Sequence, residues 1–141
     1  MSAGEGERGD GSVSLVIIAP VLVFFVALLL VAGRIAVAGN AVQSAAHAAA
    51  RDASLSRDAG VAQGAAQTAA VRSLDQQGVR CASTQVAVDT SGLVAPLGQP
   101  GAVSATVTCV ADLASVGAPG LPGSKTLTAT GVSPVDQFRQ R

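Results

Sequence analysis

The stretch LVIIAPVLVFFVALLLVAG, Leu15–Gly33, decides how this chain is organised. From Val13 to Gly33, 21 consecutive residues carry no charge. As an α-helix rising about 1.5 Å per residue they would span roughly 32 Å, close to the thickness of a bilayer hydrocarbon core. Lipid offers the backbone no hydrogen-bond partner, so a membrane segment must be helical. Pro20 lies a few residues in and predicts a kink in the first turns.

The remaining composition offers little material for a large core around that helix. Hydrophobic residues make up 49% of the 141-residue chain, yet aromatic residues make up only 2%, and Trp and Tyr are absent. A globular part must therefore build its core from Ala, Val and Leu, which each bury little area. This predicts one small domain with appendages, supported by neighbours. Nine Lys and Arg balance nine Asp and Glu, so no basic field would gather nucleic acid.

A cleaved signal peptide is the main alternative to a retained membrane helix. Its apolar core usually has about 7–15 residues behind a positively charged start. Here the apolar run is longer, and the leader Met1–Gly11 is net acidic. The sequence AVA at Ala36–Ala38 nevertheless resembles a small-residue cleavage site, and a cut there would release a protein that starts near Gly39.

Beyond Gly33 the pattern predicts Ala-rich helices and then strands. Small apolar residues recur at steps of three and four, typical of an amphipathic helix that continues the apolar run and lets partner helices approach closely. Cap-type residues at Ser54–Asp58 predict a break, and Gly78 is placed to end a second helix over Ala59–Gln77. Val- and Thr-rich alternation predicts three strands, at 79–90, 102–113 and 125–132.

The predicted fold class is therefore α+β, with a long N-terminal transmembrane helix that continues into Ala-rich helices, followed by a small three-stranded antiparallel sheet. The Gly-rich, charged leader is predicted to be a disordered tail. The predicted segments are a leader (1–12), a transmembrane helix (13–33), an Ala-rich helical segment (34–78), a small β domain (79–133) and a C-terminal tail (134–141).

The two cysteines, Cys81 and Cys109, are expected on the first two strands. A disulfide between them would close a loop of about 28 residues and stabilise the fold by roughly 3–4 kcal/mol on the chain-entropy model. Two buried free thiols are the alternative. A four-ligand zinc set is not available, because His47 is the sole histidine and lies far along the chain. Disulfides persist outside the cytosol, so the pair favours an extracytoplasmic C-terminal domain.

The positively charged residues around the apolar run favour the opposite orientation weakly. Arg8 precedes the run, whereas Arg34 and Arg51 follow it, and the positive-inside rule then places the C-terminus in the cytoplasm. The difference is one residue, and Arg34 can snorkel to the interface. We therefore give the cysteines more weight and predict an extracytoplasmic C-terminal domain.

The candidate catalytic residues do not form a recognisable constellation. His47 has no second imidazole or carboxylate pair with which to build a triad or an acid–base dyad. Asp52 and Asp58 each directly follow an Arg and are interpreted as ordinary surface charge. Gly60 and Gly64 lack the Lys and Ser/Thr that complete a phosphate loop. We predict that the protein is not an enzyme and binds neither a cofactor nor a metal.

The order of these features resembles the TadE-like family of small membrane proteins, especially its actinobacterial form. The resemblance covers most of the chain and depends on the order of its segments more than on any one motif. Four stretches carry it: GSVSLVIIAP at Gly11–Pro20, AAHAAARDASLSR at Ala45–Arg57, VTCVADL at Val107–Leu113 and SPVDQFR at Ser133–Arg139.

The resemblance implies a pilin-like or pseudopilin component of a tight-adherence (Flp-type) pilus or secretion system. A prepilin peptidase would cut after Gly11, leaving Ser12 as the first residue of a helix that sits in membrane lipid and packs in a helical bundle. One departure is at Val16, where family members commonly carry a Glu that meets a neighbour's N-terminal amine. A minor or accessory component and an anchored relative both remain compatible with this departure.

The sequence thus predicts a non-catalytic, single-pass membrane protein that contributes to pilus or secretion-apparatus assembly through helix packing. Its partners would be membrane lipid, pilin-like or other membrane assembly proteins and a prepilin peptidase, with no nucleic acid. The alternative is a small extracytoplasmic binding module, either secreted or anchored in the membrane.

Overall fold

The structure is a computed structural model of the chain. It describes residues 10–114, 120 and 122–136, with side chains from residue 14 onward. Two helices precede three strands, which confirms the predicted α+β class. The elements are α1 (Asp10–Ser54), α2 (Ala59–Gln76), β1 (Ser83–Asp89), a short 3₁₀ helix (Ser91–Val94), β2 (Gly101–Asp112) and β3 (Ser124–Val135).

The chain divides into two compact units, Met1–Gly33 and Arg34–Arg141. In the first unit the structure describes only α1, whose side chains are exposed from Ser14 to Leu30. The second unit contains the rest of α1, then α2 and the sheet, and it holds all the buried apolar side chains of the described residues.

The helix boundaries follow the predicted capping residues. Helix α1 ends at Ser54, and the helix that follows begins after Asp58, whose Oδ1 accepts a 2.9 Å hydrogen bond from the backbone N–H of Val61. This contact satisfies one of the free donors at the N-terminus of α2. After α2, Gly78 adopts φ 70°, the left-handed conformation that ends many helices and that glycine adopts without a steric penalty.

Removing the cap at Asp58 should destabilise α2 locally. We expect Asp58→Ala to lower the free energy of opening of the α2 amides by about 1 kcal/mol, since the Val61 N–H loses its acceptor. Hydrogen exchange measured by mass spectrometry on α2 peptides would show this as faster exchange. Asp75→Ala is the matched control, because Asp75 is exposed near the other end of the same helix. Equal effects of the two substitutions would contradict a capping role.

The three strands form one antiparallel sheet in the order β1-β2-β3. Alternate residues of β2 face the helices and are buried: Val103, Ala105, Val107, Cys109 and Ala111. The opposite face carries hydroxyl side chains, and Thr106 and Thr130 lie 2.9 Å apart between their Oγ1 atoms. Alternation along β2 therefore has the period-2 pattern that the sequence predicts.

Three details of the strands differ from the prediction. Cys81 lies two residues before β1, outside the predicted first strand. The third strand continues to Val135, beyond residue 132 and into the predicted tail, because its last residues pair with the start of β2. The Gly- and Pro-rich linker after β1 contains a 3₁₀ helix with Leu93 buried against the core. The pairing of β3 with β2 and the burial of Leu93 account for the second and third differences, and both depend on residues that are distant in sequence.

The core of the second unit is built mainly from alanine and valine, as the composition predicts. Residues of α1 and α2 pack onto the buried face of the sheet, and the largest fully buried side chains are Val42, Val103, Val107 and Cys109. Small side chains let the backbones of helix and strand approach closely. One such close approach is at Gly131 of β3, which lies against the backbone of Ala46 and His47 in α1.

Candidate functional site

The apolar part of α1 is the most prominent functional feature of the described residues. All side chains from Ser14 to Leu30 are exposed, including Phe24 and Phe25. The helix from Ser14 is long and apolar enough to cross a membrane, and no residue of its most apolar 18-residue window is buried. A helix in the core of a soluble protein would be buried, and this one is not. It is therefore a candidate membrane span, although a signal sequence meets the same criteria of length and composition.

The small-residue face of α1 beyond Gly33 is already covered within the chain. Its buried members recur at steps of three and four: Ala38, Ala41, Val42, Ala45, Ala46, Ala49, Ala50 and Ala53. From Val42 onward they belong to the core that α2 and the sheet complete. The Val42–Ala53 stretch of this face therefore packs against the chain's own second helix and sheet.

A disulfide joins Cys81 to Cys109, with the two Cα atoms 5.4 Å apart. Cys109 is fully buried on the central strand, and Cys81 is half-buried in the segment between α2 and β1. The bond therefore fixes the path from α2 into the sheet. Next to it, the N–H of Ala82 donates a 2.7 Å hydrogen bond to the carbonyl of Val110, which extends the pairing of β1 toward the disulfide.

The candidate catalytic side chains are not brought together. His47 is exposed, and its Nε2 lies 3.0 Å from the side-chain nitrogen of Gln43. Asp58 caps α2, while Asp52 is half-buried in α1. Across residues 10–114, 120 and 122–136, no group of three or more His, Cys, Asp or Glu side chains is placed to hold a metal ion.

The predicted processing positions, Gly11 and Ser12, fall in the first turns of α1. The side chain of Ser12 lies outside the part of the chain that the structure describes. Cleavage after Gly11 stays a prediction.

One carboxylate has a distinct electrostatic environment. The backbone N–H of Ser91 donates a 3.0 Å hydrogen bond to Oδ1 of Asp89 and, together with the Ser91 hydroxyl, lowers the pKa of Asp89 below its usual value. Hydrogen bonds to the ionised form stabilise it. This contact shapes the turn between β1 and the 3₁₀ helix, and Asp89 is solvent-exposed at the end of its strand.

Glutamine side chains from both helices donate hydrogen bonds to backbone carbonyls of the two edge strands. The sequence did not predict this role. The side-chain nitrogens of Gln63 and Gln67 in α2 donate to the carbonyl oxygens of Val86 and Thr84 in β1, at 2.6 and 3.5 Å. On the other edge, Gln43 of α1 donates a 3.1 Å bond to the Thr130 carbonyl. The spacing of four between Gln63 and Gln67 places both on one helix face and is the one local signal for this role.

These features define a class of protein: one candidate membrane-spanning helix, followed along the chain by a small disulfide-containing α+β domain. The model of the family described as TadE-like protein matches residues 9–51, which confirms the resemblance to that family for the N-terminal part of the chain. The match covers nearly all of α1 and ends before α2 and the sheet. No curated protein and no solved structure matches the chain.

Proposed function

We propose that this chain is a pilin-like, single-pass membrane protein that contributes to the assembly of a pilus or secretion apparatus without catalysis. The observation that carries the proposal is the coincidence of the family match, residues 9–51, with a helix whose apolar side chains are all exposed from Leu15 to Leu30. The TadE-like family points to a pilus-related role, and an exposed apolar helix of this length needs lipid or other helices around it.

The exposed apolar part of α1 supplies the packing surface in this proposal. The Ala-rich stretch that follows is committed to its own domain, so contacts with pilin-like neighbours fall on the first unit, up to Gly33. In lipid, helices associate through close side-chain packing rather than through a hydrophobic driving force. In the family that the chain resembles, a Glu commonly stands at the position of Val16 and meets a neighbour's N-terminal amine. With Val16 in its place, the proposed association depends on shape and not on a buried ion pair.

The second unit would lie outside the cytoplasm in the proposed arrangement. The Cys81–Cys109 disulfide supports this side of the membrane, since such bonds persist in oxidising compartments. A prepilin peptidase would remove the leader after Gly11, and Ser12 would become the N-terminus of the mature helix.

Inserting a charge into the middle of the apolar helix should release the protein from the membrane. Arg at the centre of a membrane helix costs about 2.5–3.5 kcal/mol on insertion scales, so Val23→Arg is expected to shift a large share of the protein out of the membrane fraction. Val94→Arg is the matched control, because Val94 is similarly exposed, at 77% against 70% for Val23, but lies in the second unit. If Val23→Arg fractionated with the membrane as the unsubstituted protein does, the proposal of a membrane-spanning helix would be wrong.

The mature N-terminus, measured by mass spectrometry on protein from membranes and from medium, separates the remaining readings. A start at Ser12 supports pilin-type processing, and a start at Met1 supports a permanent anchor. A start near Gly39 with the protein in the medium would replace the proposal by a secreted binding module, because the apolar helix would then be a signal peptide.

A further inference from the structure

We propose that one end of the second unit, the end at which the chain enters it from the apolar run, binds anionic lipid headgroups. Four exposed basic residues define this surface, which we call the basic end: Arg34, Arg72, Arg80 and Lys125. The inference rests on the proposed membrane span, because a bilayer is the occupant, but it assigns a new role to the domain that follows the span.

The packing of β3 on α1 places Lys125 at this end. The side-chain nitrogen of Gln43 donates a 3.1 Å hydrogen bond to the Thr130 carbonyl, and the hydroxyl oxygens of Ser54 and Ser133 lie 3.1 Å apart. Strand β3 therefore runs along α1 in the same direction. Lys125 lies about 17 Å before Thr130 along the strand. The first residue of the unit lies about 14 Å before Gln43 along the helix, so both are at the same end.

Arg80 and Arg72 are brought to the same end by the other two elements. Strand β1 runs parallel to β3, because each pairs antiparallel with β2, and Arg80 lies shortly before β1 begins. Helix α2 runs antiparallel to β1, since its successive glutamines donate to successively earlier carbonyls of that strand. Arg72, near the C-terminal end of α2, therefore also lies at the basic end.

The charged residues that the structure describes in the second unit divide between its two ends. At the basic end, four positive charges outnumber two carboxylates, Asp75 and Asp112, and the connection 113–123 adds no charged residue. At the opposite end, four carboxylates outnumber two guanidinium groups. These six residues are Arg51, Asp52, Arg57, Asp58, Asp89 and Asp136. The described part of the unit is thus positive where the chain enters and negative at the far end.

An anionic lipid surface fits this charge distribution better than an acidic protein does. Arg34 directly follows Gly33, the last residue of the apolar run, so a membrane span tethers the basic end beside the headgroups. A covalent tether gives the bilayer a high effective concentration that a free partner lacks. Each Lys or Arg near an anionic surface strengthens binding roughly fivefold, and the effect fades within a Debye length of about 10 Å. The opposite end lies beyond that range.

Energy transfer to labelled lipids tests the proposal on the full-length protein. The protein is inserted into vesicles of equal parts phosphatidylcholine and phosphatidylglycerol, with a trace of acceptor dye on the acyl chain of one lipid or the other. Both native cysteines are joined in the disulfide, so Ser124→Cys provides a unique thiol for the donor dye. Val94→Cys places the donor at the opposite end, where the side chain is also exposed.

The basic end should gather phosphatidylglycerol around it. We expect transfer to labelled phosphatidylglycerol to exceed transfer to labelled phosphatidylcholine at least about twofold from position 124, and to equal it from position 94. Salt at about 1 M shortens the Debye length to about 3 Å and should bring the ratio at position 124 close to one.

Two paired substitutions separate the location of the charges from their number. Arg80→Gln with Lys125→Gln should abolish most of the preference at position 124. Arg51→Gln with Arg57→Gln removes the same charge from the opposite end and should preserve it. Retention of the native disulfide in each variant shows that the fold survives.

A ratio near one at position 124 in low salt would overturn lipid headgroups as the occupant. Equal losses from the two paired substitutions would overturn the basic end as the binding surface. Flotation with the vesicles is measured on the same samples. A protein that does not float contradicts the membrane span itself, whereas one that floats without lipid preference contradicts only this inference.

Discussion

Replacing Gly131 by alanine is expected to destabilise the second unit by about 3 kcal/mol, the upper end of typical overpacking costs. A Cβ at this position would overlap the carbonyl carbon and oxygen of Ala46 and lie 2.5 Å from the amide nitrogen of His47. These atoms belong to the backbone of α1, so no side-chain rotation can relieve the overlap. The helix would have to move off the sheet, which would open the core around Ala46.

Hydrogen exchange on β2 peptides of the full-length protein would measure this loss as a lower free energy of opening of the core amides. Gly64→Ala is the matched control, because an added Cβ there meets no atom within 4 Å. Alanine is the better helix former by about 1 kcal/mol, so the control should slow exchange in α2. If Gly131→Ala left β2 exchange unchanged, the close approach of helix and strand would be wrong.

The elements of the second unit were largely predictable because their signals are local. Cap-type residues at Ser54–Asp58 and the glycine at position 78 define the helix ends, and the structure uses Asp58 and Gly78 in those roles. Alternation of Val and Thr places β2 within a residue of its observed bounds. Such signals need only a few neighbouring residues, so a single sequence contains them.

The contacts that fix how these elements pack were not predictable in the same way. Gly131 reads as an ordinary strand glycine until Ala46, 85 positions earlier, is placed against it. From the sequence alone, Gln63 has the pattern of a solvated helix residue. Its role becomes visible only when the edge strand β1 lies beside it and the Val86 carbonyl accepts its hydrogen bond. Each role depends on two segments that are distant in sequence, and no period or cap residue encodes that pairing.

The features of the candidate site also differ in whether one segment of the sequence is enough to predict them. The apolar helix could be recognised from composition alone, because length and lack of charge are properties of one segment. The sequence could not show that the small-residue face around Ala45 is covered within the chain. A helix face has the same sequence pattern whether it packs against a partner helix or against the chain's own sheet.

Loss of the disulfide should lower the stability of the second unit at least as much as Gly131→Ala does. The bond closes a loop of 28 residues. Chain entropy then gives a stabilisation of about 3–4 kcal/mol, since the cross-link restricts the unfolded chain. For a core whose largest buried side chains are valine and cysteine, this is a substantial share of a net stability of about 5–15 kcal/mol. We expect reduction to speed hydrogen exchange in both β1 and β2.

The measurement compares exchange of the full-length protein with and without a thiol reductant. The double variant Cys81→Ala with Cys109→Ala should exchange as fast as the reduced protein, or faster through the cavity at the buried Cys109, and should not respond to the reductant. A response of the double variant would trace the effect to the reagent. A wild-type protein that exchanges equally in both conditions would mean that the Cys81–Cys109 bond contributes nothing to stability. In that case the small alanine and valine core would have to hold the second unit without it.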